Sequence, residues 1–447
     1  MTFMSKRILL SVSLCLTLLP AALPPAACVP PNAETVLKAS DHKKIGALMR
    51  ECIEAYVEKE GRRAAESELH KTIQKKWKKA ADGRDPLALS DDLAASLWYA
   101  VEYSKVKGIK KGRVEEVEVE VPFYGKDFVA TYAAWIPKKY SAKDRAYPVI
   151  FCIPDAGEDA EEHLKEYWSN TAIRDNAVLI AIQMPENTEH WGGLGVKDDP
   201  DNAGGVGLVL SIFKNVGSRY AIDFSRVFLA GRGIGVDASM RIANSFPDRF
   251  AGIIGRTGDA AEMAPDNLSN LPCFFAGAGK RASEFIDAAK EKGFVEHKLQ
   301  ADATEADVWS WIEETTRRSN PEEITLVPGT PFPNKAYWLE VPSKQYSTET
   351  RITAKADRAS NTITVTAVGI EQVTIYFNDT LVDMDKPVIV KCNDATHEST
   401  VPRNFSSMME QIYRSRSDSG KLYTAFKTYD VPSTAVKAES GDTESGE

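Results

Sequence analysis

Five residues, Gly231-Arg232-Gly233-Ile234-Gly235, form a sharp turn between two apolar segments, Val227 to Ala230 and Val236 to Ser245. The first is short and continuously apolar, as a buried strand is; the second has helical character. A turn from strand to helix holds its central residue out beyond the sheet, where a serine or cysteine would be an activated nucleophile. The central residue is Gly233, which has no side chain to attack with. Glycine suits the backbone of such turns, because it relieves a strain of about 1–3 kcal/mol that other residues carry there. Asp237 and Ser239 follow in the helix, and Ser239 sits roughly 9 Å further along its axis. Hydrolysis by a nucleophile also needs a histidine base, an acid that orients it, and amide donors for the oxyanion. His190, His297, Asp155 and Asp259 are the side chains to test against those roles, and Trp191, Arg232 and Arg256 are candidates by position, in loops at the carboxyl ends of the strands.

The elements around the turn alternate in kind. Val114 to Val121 alternates with period two, as a half-exposed strand does, and Phe128 to Ile136 follows it. Then come apolar runs at 148–153, 177–182, 227–230, 251–254, 273–276 and 294–299, with helical segments at 160–174, 205–220, 234–246, 281–292 and 305–318. Continuous apolar strands separated by helices imply a mostly parallel sheet covered on both faces. The count is eight strands, two leading ones of antiparallel type and six alternating with helices.

Over 112–320 this pattern resembles the α/β-hydrolases, and within them the secreted esterases of feruloyl-esterase and polyester-depolymerase type. Both outer glycines of the G-x-S-x-G elbow are present as Gly231 and Gly235. Ile153 to Gly157 ends the third strand where the family has its oxyanion loop; Gly204 to Phe213, Tyr220 to Val227 and Phe246 to Ile254 resemble the segments that flank the elbow. The resemblance implies an α/β fold with a hydrolase sheet and an esterase-like site, and its slots are then vacant one by one. Gly233 stands for the nucleophilic serine. The acid slot after the seventh strand reads Gly277 to Ser283 without a carboxylate, and Asp259 is the alternative acid. The histidine slot after the eighth strand, Gln300 to Trp309, holds no histidine. Asp155 replaces a small uncharged residue of the oxyanion loop, and a carboxylate there would repel an oxyanion by about 4 kcal/mol at 4 Å with an effective dielectric near 20.

The outer parts of the chain read as separate modules. Residues 1–27 have Lys6-Arg7, an apolar run from Ile8 to Leu23 and small residues before Cys28, the pattern of a signal peptide. The run is shorter than the roughly 20 residues of a spanning helix. Cys28 after two alanines is a candidate lipidation site, the one route to a membrane. Residues 33–106 form a helical module, and its basic run Lys71 to Lys79 reads as a solvated helix face. Residues 334–432 are β-branched and alternating, a β-sandwich-like module, and 436–447 is an acidic tail expected to be disordered. Among 447 residues the net charge of −9 gives no support to nucleic-acid binding. Cys52, Cys152, Cys273 and Cys392 show neither a disulfide framework nor metal spacing; strands three sheet positions apart put Cys152 and Cys273 roughly 14 Å from each other. No cofactor is implied.

Three readings follow. The first is an exported, periplasmic or cell-surface, catalytically inactive esterase-like homologue whose cleft binds a small molecule, a polysaccharide or a protein, with Asp155, His190, Trp191, Arg232 and Arg256 as the candidate contacts. The second is an active ester hydrolase with a rearranged site built from Asp237 or Ser239 with His190 and Asp259. The third is a scaffold protein of the cell envelope.

Overall fold

The computed structural model describes residues 35–77, 84–184, 191–277 and 279–433. Residues 1–27, expected to be a signal peptide, Cys28, His190 and the tail at 436–447 lie outside the described residues.

Three helices come first: α1 (Ala39–Glu58), α2 (Arg62–Trp77) and α3 (Ser90–Ala100). The central domain follows. Its strands are β1 (Val114–Glu120), β2 (Val129–Trp135), β3 (Tyr147–Ile153), β4 (Val178–Ile182), β5 (Ile222–Arg232), β6 (Gly252–Arg256), β7 (Cys273–Ala276) and β8 (Lys298–Gln300). Between them run α4 (Ala160–Tyr167), α5 (Thr171–Asn176), α6 (Gly205–Arg219), α7 (Ile234–Ser245), α8 (Lys280–Glu291) and α9 (Glu305–Glu314). The sheet has eight strands in the order β1-β2-β4-β3-β5-β6-β7-β8. β1 pairs antiparallel with β2, and β2 antiparallel with β4; the remaining neighbours are parallel. This is the strand order of an α/β-hydrolase sheet, the fold class expected from the sequence.

The apolar runs are continuous because both faces are covered. Val149, Phe151, Val227 and Leu229 enter one core with α6 and α7, while Ile150, Cys152, Phe228 and Ala230 enter the other with α4, α5 and α9. Successive side chains of one strand thus point into two different cores, and no position is left for a polar residue. Cys152 and Cys273 lie on β3 and β7, three strands apart, and all four described cysteines are free and buried.

Two strands differ from their sequence expectation. β5 is longer than 227–230, because it pairs with β3 from Tyr147 onward and with β6 as far as Arg256. β8 is shorter than 294–299 and leaves His297 just outside it. The Val295 amide donates to the Ser269 carbonyl, and the Cys273 amide donates to His297 Nδ1 at 3.0 Å, so a side chain takes a donor that a longer ladder would have used.

The C-terminal part contains β9 (Glu323–Leu326), β10 (Lys335–Ala336), β11 (Leu339–Glu340), β12 (Arg351–Asp357), β13 (Thr362–Val368), β14 (Gln372–Phe377), β15 (Val388–Cys392), β16 (Ala395–Ser399), helix α10 (Phe405–Arg414) and β17 (Ala425–Asp430). A five-stranded sheet, β16-β15-β13-β12-β9, and a four-stranded sheet, β10-β11-β14-β17, share one apolar core. β9 precedes residue 334 yet pairs with β12, so this module reaches back along the chain. Helix α10 leaves the sandwich and packs on α1 and α2. Phe405, Met408, Met409 and Ile412 complete the same core as Ile45, Met49, Leu69 and Ile73.

Candidate functional site

The turn after β5 has the geometry of an elbow. Gly233 lies at φ 55°, ψ −125°, a left-handed backbone that side-chain-bearing residues adopt only under strain. Gly231 and Gly235 are required by contact, since a Cβ on Gly231 would strike the Gly235 carbonyl and one on Gly235 would strike the Ile153 carbonyl. The strand therefore runs into the helix with no room for side chains at the flanks, as the glycine spacing suggested.

The space in front of Gly233 is occupied. A Cβ built on Gly233 would fall inside the Asp155 carboxyl group, in overlap with its carbon and both oxygens. Asp155 Oδ1 accepts from the Ile234 amide at 3.0 Å and from the Ala156 amide at 2.9 Å. Those two amides are the residue after the nucleophile position and a residue of the loop after β3, the two sources of oxyanion donors in an elbow site. The sequence argument has Asp155 repelling a negative charge near this position. In the structure its own carboxylate stands where that charge would form and takes both donors.

A second layer holds Asp155 in place. Its amide donates to Glu158 Oε2 at 2.9 Å, and the Glu158 amide returns a bond to the Asp155 carbonyl at 3.2 Å. Glu158 pairs with Arg232, whose guanidinium stacks on the Tyr167 ring, 3.9 Å from its centroid. His163 Nδ1 is 3.0 Å from the same Glu158 oxygen, and its Nε2 accepts from the Trp168 indole at 3.3 Å. With Nε2 accepting, the proton of the neutral ring is on Nδ1 and is donated to Glu158. Burial, and then the positive charge of Arg256, hold the His163 pKa down to about 4, against the pull of Asp155. Arg256 donates to the Tyr167 carbonyl and to Glu305 Oε1 at 3.1 Å, and its guanidinium lies over Trp168. Arg232, Arg256 and Asp155 are thus brought together at the carboxyl ends of β3, β5 and β6, all three already partnered.

His163 and Glu158 were not singled out by sequence reasoning. The available signal was local: Asp159 caps α4 by accepting from the Glu161 and Glu162 amides, which puts His163 one turn into the first helix after the oxyanion loop. Trp191 is buried in the main core and, with Gly192, Ile234, Asp237 and Arg241, lines a cavity of about 390 Å³ beside the elbow. His190, its neighbour, is outside the described residues.

The other triad candidates are engaged elsewhere. Ser239 is 0% exposed and donates to the Gly235 carbonyl at 2.7 Å, one turn back in its own helix. Asp237 forms an i,i+4 pair with Arg241 at 2.6 Å. Asp259 accepts from the Ala260 and Ala282 amides and meets Arg281 at 3.3 Å, so it anchors the start of α8. After β8, Thr304 and Asp307 form a capping box that opens α9. Among the described residues no group of His, Cys, Asp and Glu side chains could hold a metal ion.

No family profile and no curated protein matches the chain. Solved structures with a similar backbone are a thermostable esterase (16% identity, TM-score 0.37, covering 46% of this chain and 63% of that one) and an S-formylglutathione hydrolase from Agrobacterium tumefaciens (12%, 0.36, 46% and 94%). A ferulic acid esterase is also similar (12%, 0.33, 43% and 91%). The chain therefore spans less than two thirds of the thermostable esterase. The strand order and the elbow carry the assignment of class: the central domain has an α/β-hydrolase fold.

Proposed function

We propose that this chain is a catalytically inactive, exported homologue of the esterases, and that its remaining cleft holds a ligand or partner. The observation that carries the reading is the Asp155 carboxylate lying in the space of a nucleophile's side chain and bonded to the Ile234 amide. A substrate carbonyl would find neither an attacking oxygen nor a free donor pair, and both are needed for acyl transfer. The engagement of Ser239, Asp237 and Asp259 in helix contacts supports the same reading over a rearranged hydrolase. The cavity beside Trp191 and Arg241 is the place for a ligand, whether a small molecule, a polysaccharide segment or a protein loop. Export rests on residues 1–27, and no helix among the described residues is long and apolar enough to cross a membrane.

A fluorophosphonate probe and short-chain nitrophenyl esters test the inactivity. The full chain is expected to remain unlabelled and to turn over none of them. Labelling or turnover that disappears in Ser239→Ala would sink the proposal. Cell fractionation tests export: the chain should leave the cytoplasm with residues 1–27 present and stay there without them.

A further inference from the structure

The charges of the N-terminal helices are segregated along their length. The second half of α1 carries the exposed carboxylates Glu51, Glu54 and Glu58, and its first half the exposed cations Lys43 and Lys44, with Lys38 at the N-cap position. α2 packs on α1 in the opposite direction, since Lys76 near its end bonds Asp41 near the start of α1 at 2.6 Å. The exposed Lys71 and Lys75 of α2 thus stand at the same end of the module as Lys43 and Lys44. The Lys76 bond, against burial, and then the charge of Lys44 hold the Asp41 carboxyl below its ordinary value, so Lys44 also faces this junction. The arrangement costs helix stability. Lys71 and Lys75 are one turn apart and of like charge, and Lys38 offers α1 no side-chain cap and puts a cation at the positive end of its dipole. Among the described residues no carboxylate pairs with Lys38, Lys44, Lys71 or Lys75, whereas the exposed helical lysines Lys165 and Lys280 each meet a glutamate one turn away. The other carboxylates at this end are Asp92, buried under the Val36 and Leu37 amides and His42, and Asp91 and Glu68, which bond none of these lysines.

We propose that this end of the N-terminal module, formed by the first half of α1 and the second half of α2, is a docking face for an anionic lipid surface. A layer of anionic headgroups supplies the counter-charge that the protein itself withholds from Lys38, Lys44, Lys71 and Lys75. The course of the chain favours a membrane over a soluble polyanion. Cys28, the candidate lipidation site, stands eleven positions before Ala39. Fully extended, that segment reaches at most about 40 Å. A tether at Cys28 attaches at the start of α1, so the basic end of the module lies nearer the bilayer than the end with Glu51, Glu54 and Glu58. One acyl chain alone gives only marginal attachment, and a polybasic patch is one of the second signals that make it stable. Such docking presupposes export through residues 1–27 and is independent of what the cleft holds.

Sedimentation with lipid vesicles is the test. The protein is the chain from residue 28 onward with Cys28→Ser, which keeps every described element and lacks both the leader and the acyl site. It is expected to sediment with vesicles of equal parts phosphatidylglycerol and phosphatidylcholine, to ignore vesicles of phosphatidylcholine alone, and to be released as salt rises. Lys44→Gln, Lys71→Gln and Lys75→Gln should each weaken the partition about fivefold. Their melting temperatures should be undiminished, because all three lysines are exposed and unpaired. Lys391→Gln, at an exposed lysine of the C-terminal module, should leave the partition unchanged and so controls for net charge. The proposal fails if the two kinds of vesicle bind alike, if the three variants combined bind as the parent does, if Lys391→Gln weakens binding as much as they do, or if soluble heparin binds more tightly than the vesicles. Such a failure would leave the export reading standing, since cell fractionation measures that separately.

Discussion

Asp155 and Gly233 share one volume, and that makes their substitutions interdependent. Gly233→Ser would place a Cβ inside the Asp155 carboxyl group at a backbone of φ 55°, ψ −125°. The backbone strain for a non-glycine residue is about 1–3 kcal/mol. Expelling the carboxylate from the Ile234 and Ala156 amides adds about 1–2 kcal/mol, since Ile234 is 41% exposed and water partly replaces the lost acceptor. Asp155→Ala alone loses only those two bonds, about 1–2 kcal/mol. In the double variant the bonds are lost once, so it should be more stable than the sum of the two single changes by about 1–2 kcal/mol. Urea unfolding of the four proteins gives this coupling directly. Additivity within about 0.5 kcal/mol would refute the picture of a carboxylate filling the nucleophile's place. The double variant, with a serine at the elbow and no histidine in its slot, should still fail to turn over nitrophenyl esters.

Other consequences can be measured on the same protein. Arg317 makes two bonds to Asp418, at 2.7 and 2.6 Å, with both side chains buried; Asp418→Asn should cost about 3–5 kcal/mol in unfolding experiments, because it leaves the guanidinium without its counter-charge. The His163 pKa is about 4 when folded, below its unfolded value, so the unfolded chain binds the extra proton between that value and about 6.5. Stability should therefore be complete above that window and fall as pH drops through it, by about 3 kcal/mol from this residue, and the fall should shrink in His163→Gln. Burial raises the thiols of Cys52 and Cys392 to about 12 and about 11, and Cys152 and Cys273 are wholly buried, so all four should resist a thiol reagent until denaturant is added.

Much of the central domain was legible because two-sided burial writes itself into sequence. A strand such as Tyr147–Ile153 can be nothing but apolar when alternate residues enter different cores, and the glycines of the elbow are dictated by backbone contacts. What Asp155 does was not legible. Its charge at the oxyanion loop is plain in the sequence, but its contact with Gly233 joins residues 78 positions apart and depends on β3 and β5 being neighbours in register. Read separately, Asp155 is an obstacle and Gly233 an omission; together they form one packed unit. His163 escaped notice for a related reason, since its partners Glu158 and Trp168 identify it only once α4 turns the ring inward. The ends of β8 were misjudged because His297, a side chain, substitutes for a strand's carbonyl as partner of the Cys273 amide.

The packing of α10 against α1 and α2 also sets an order of events. During synthesis the first helices emerge more than three hundred residues before Phe405, Met408, Met409 and Ile412, which close their core. Until then that core is closed only by α1, α2 and α3, and the share that α10 contributes is missing. The core at the beginning of the chain is completed only by its end, so a product truncated before Phe405 should have a less stable N-terminal module.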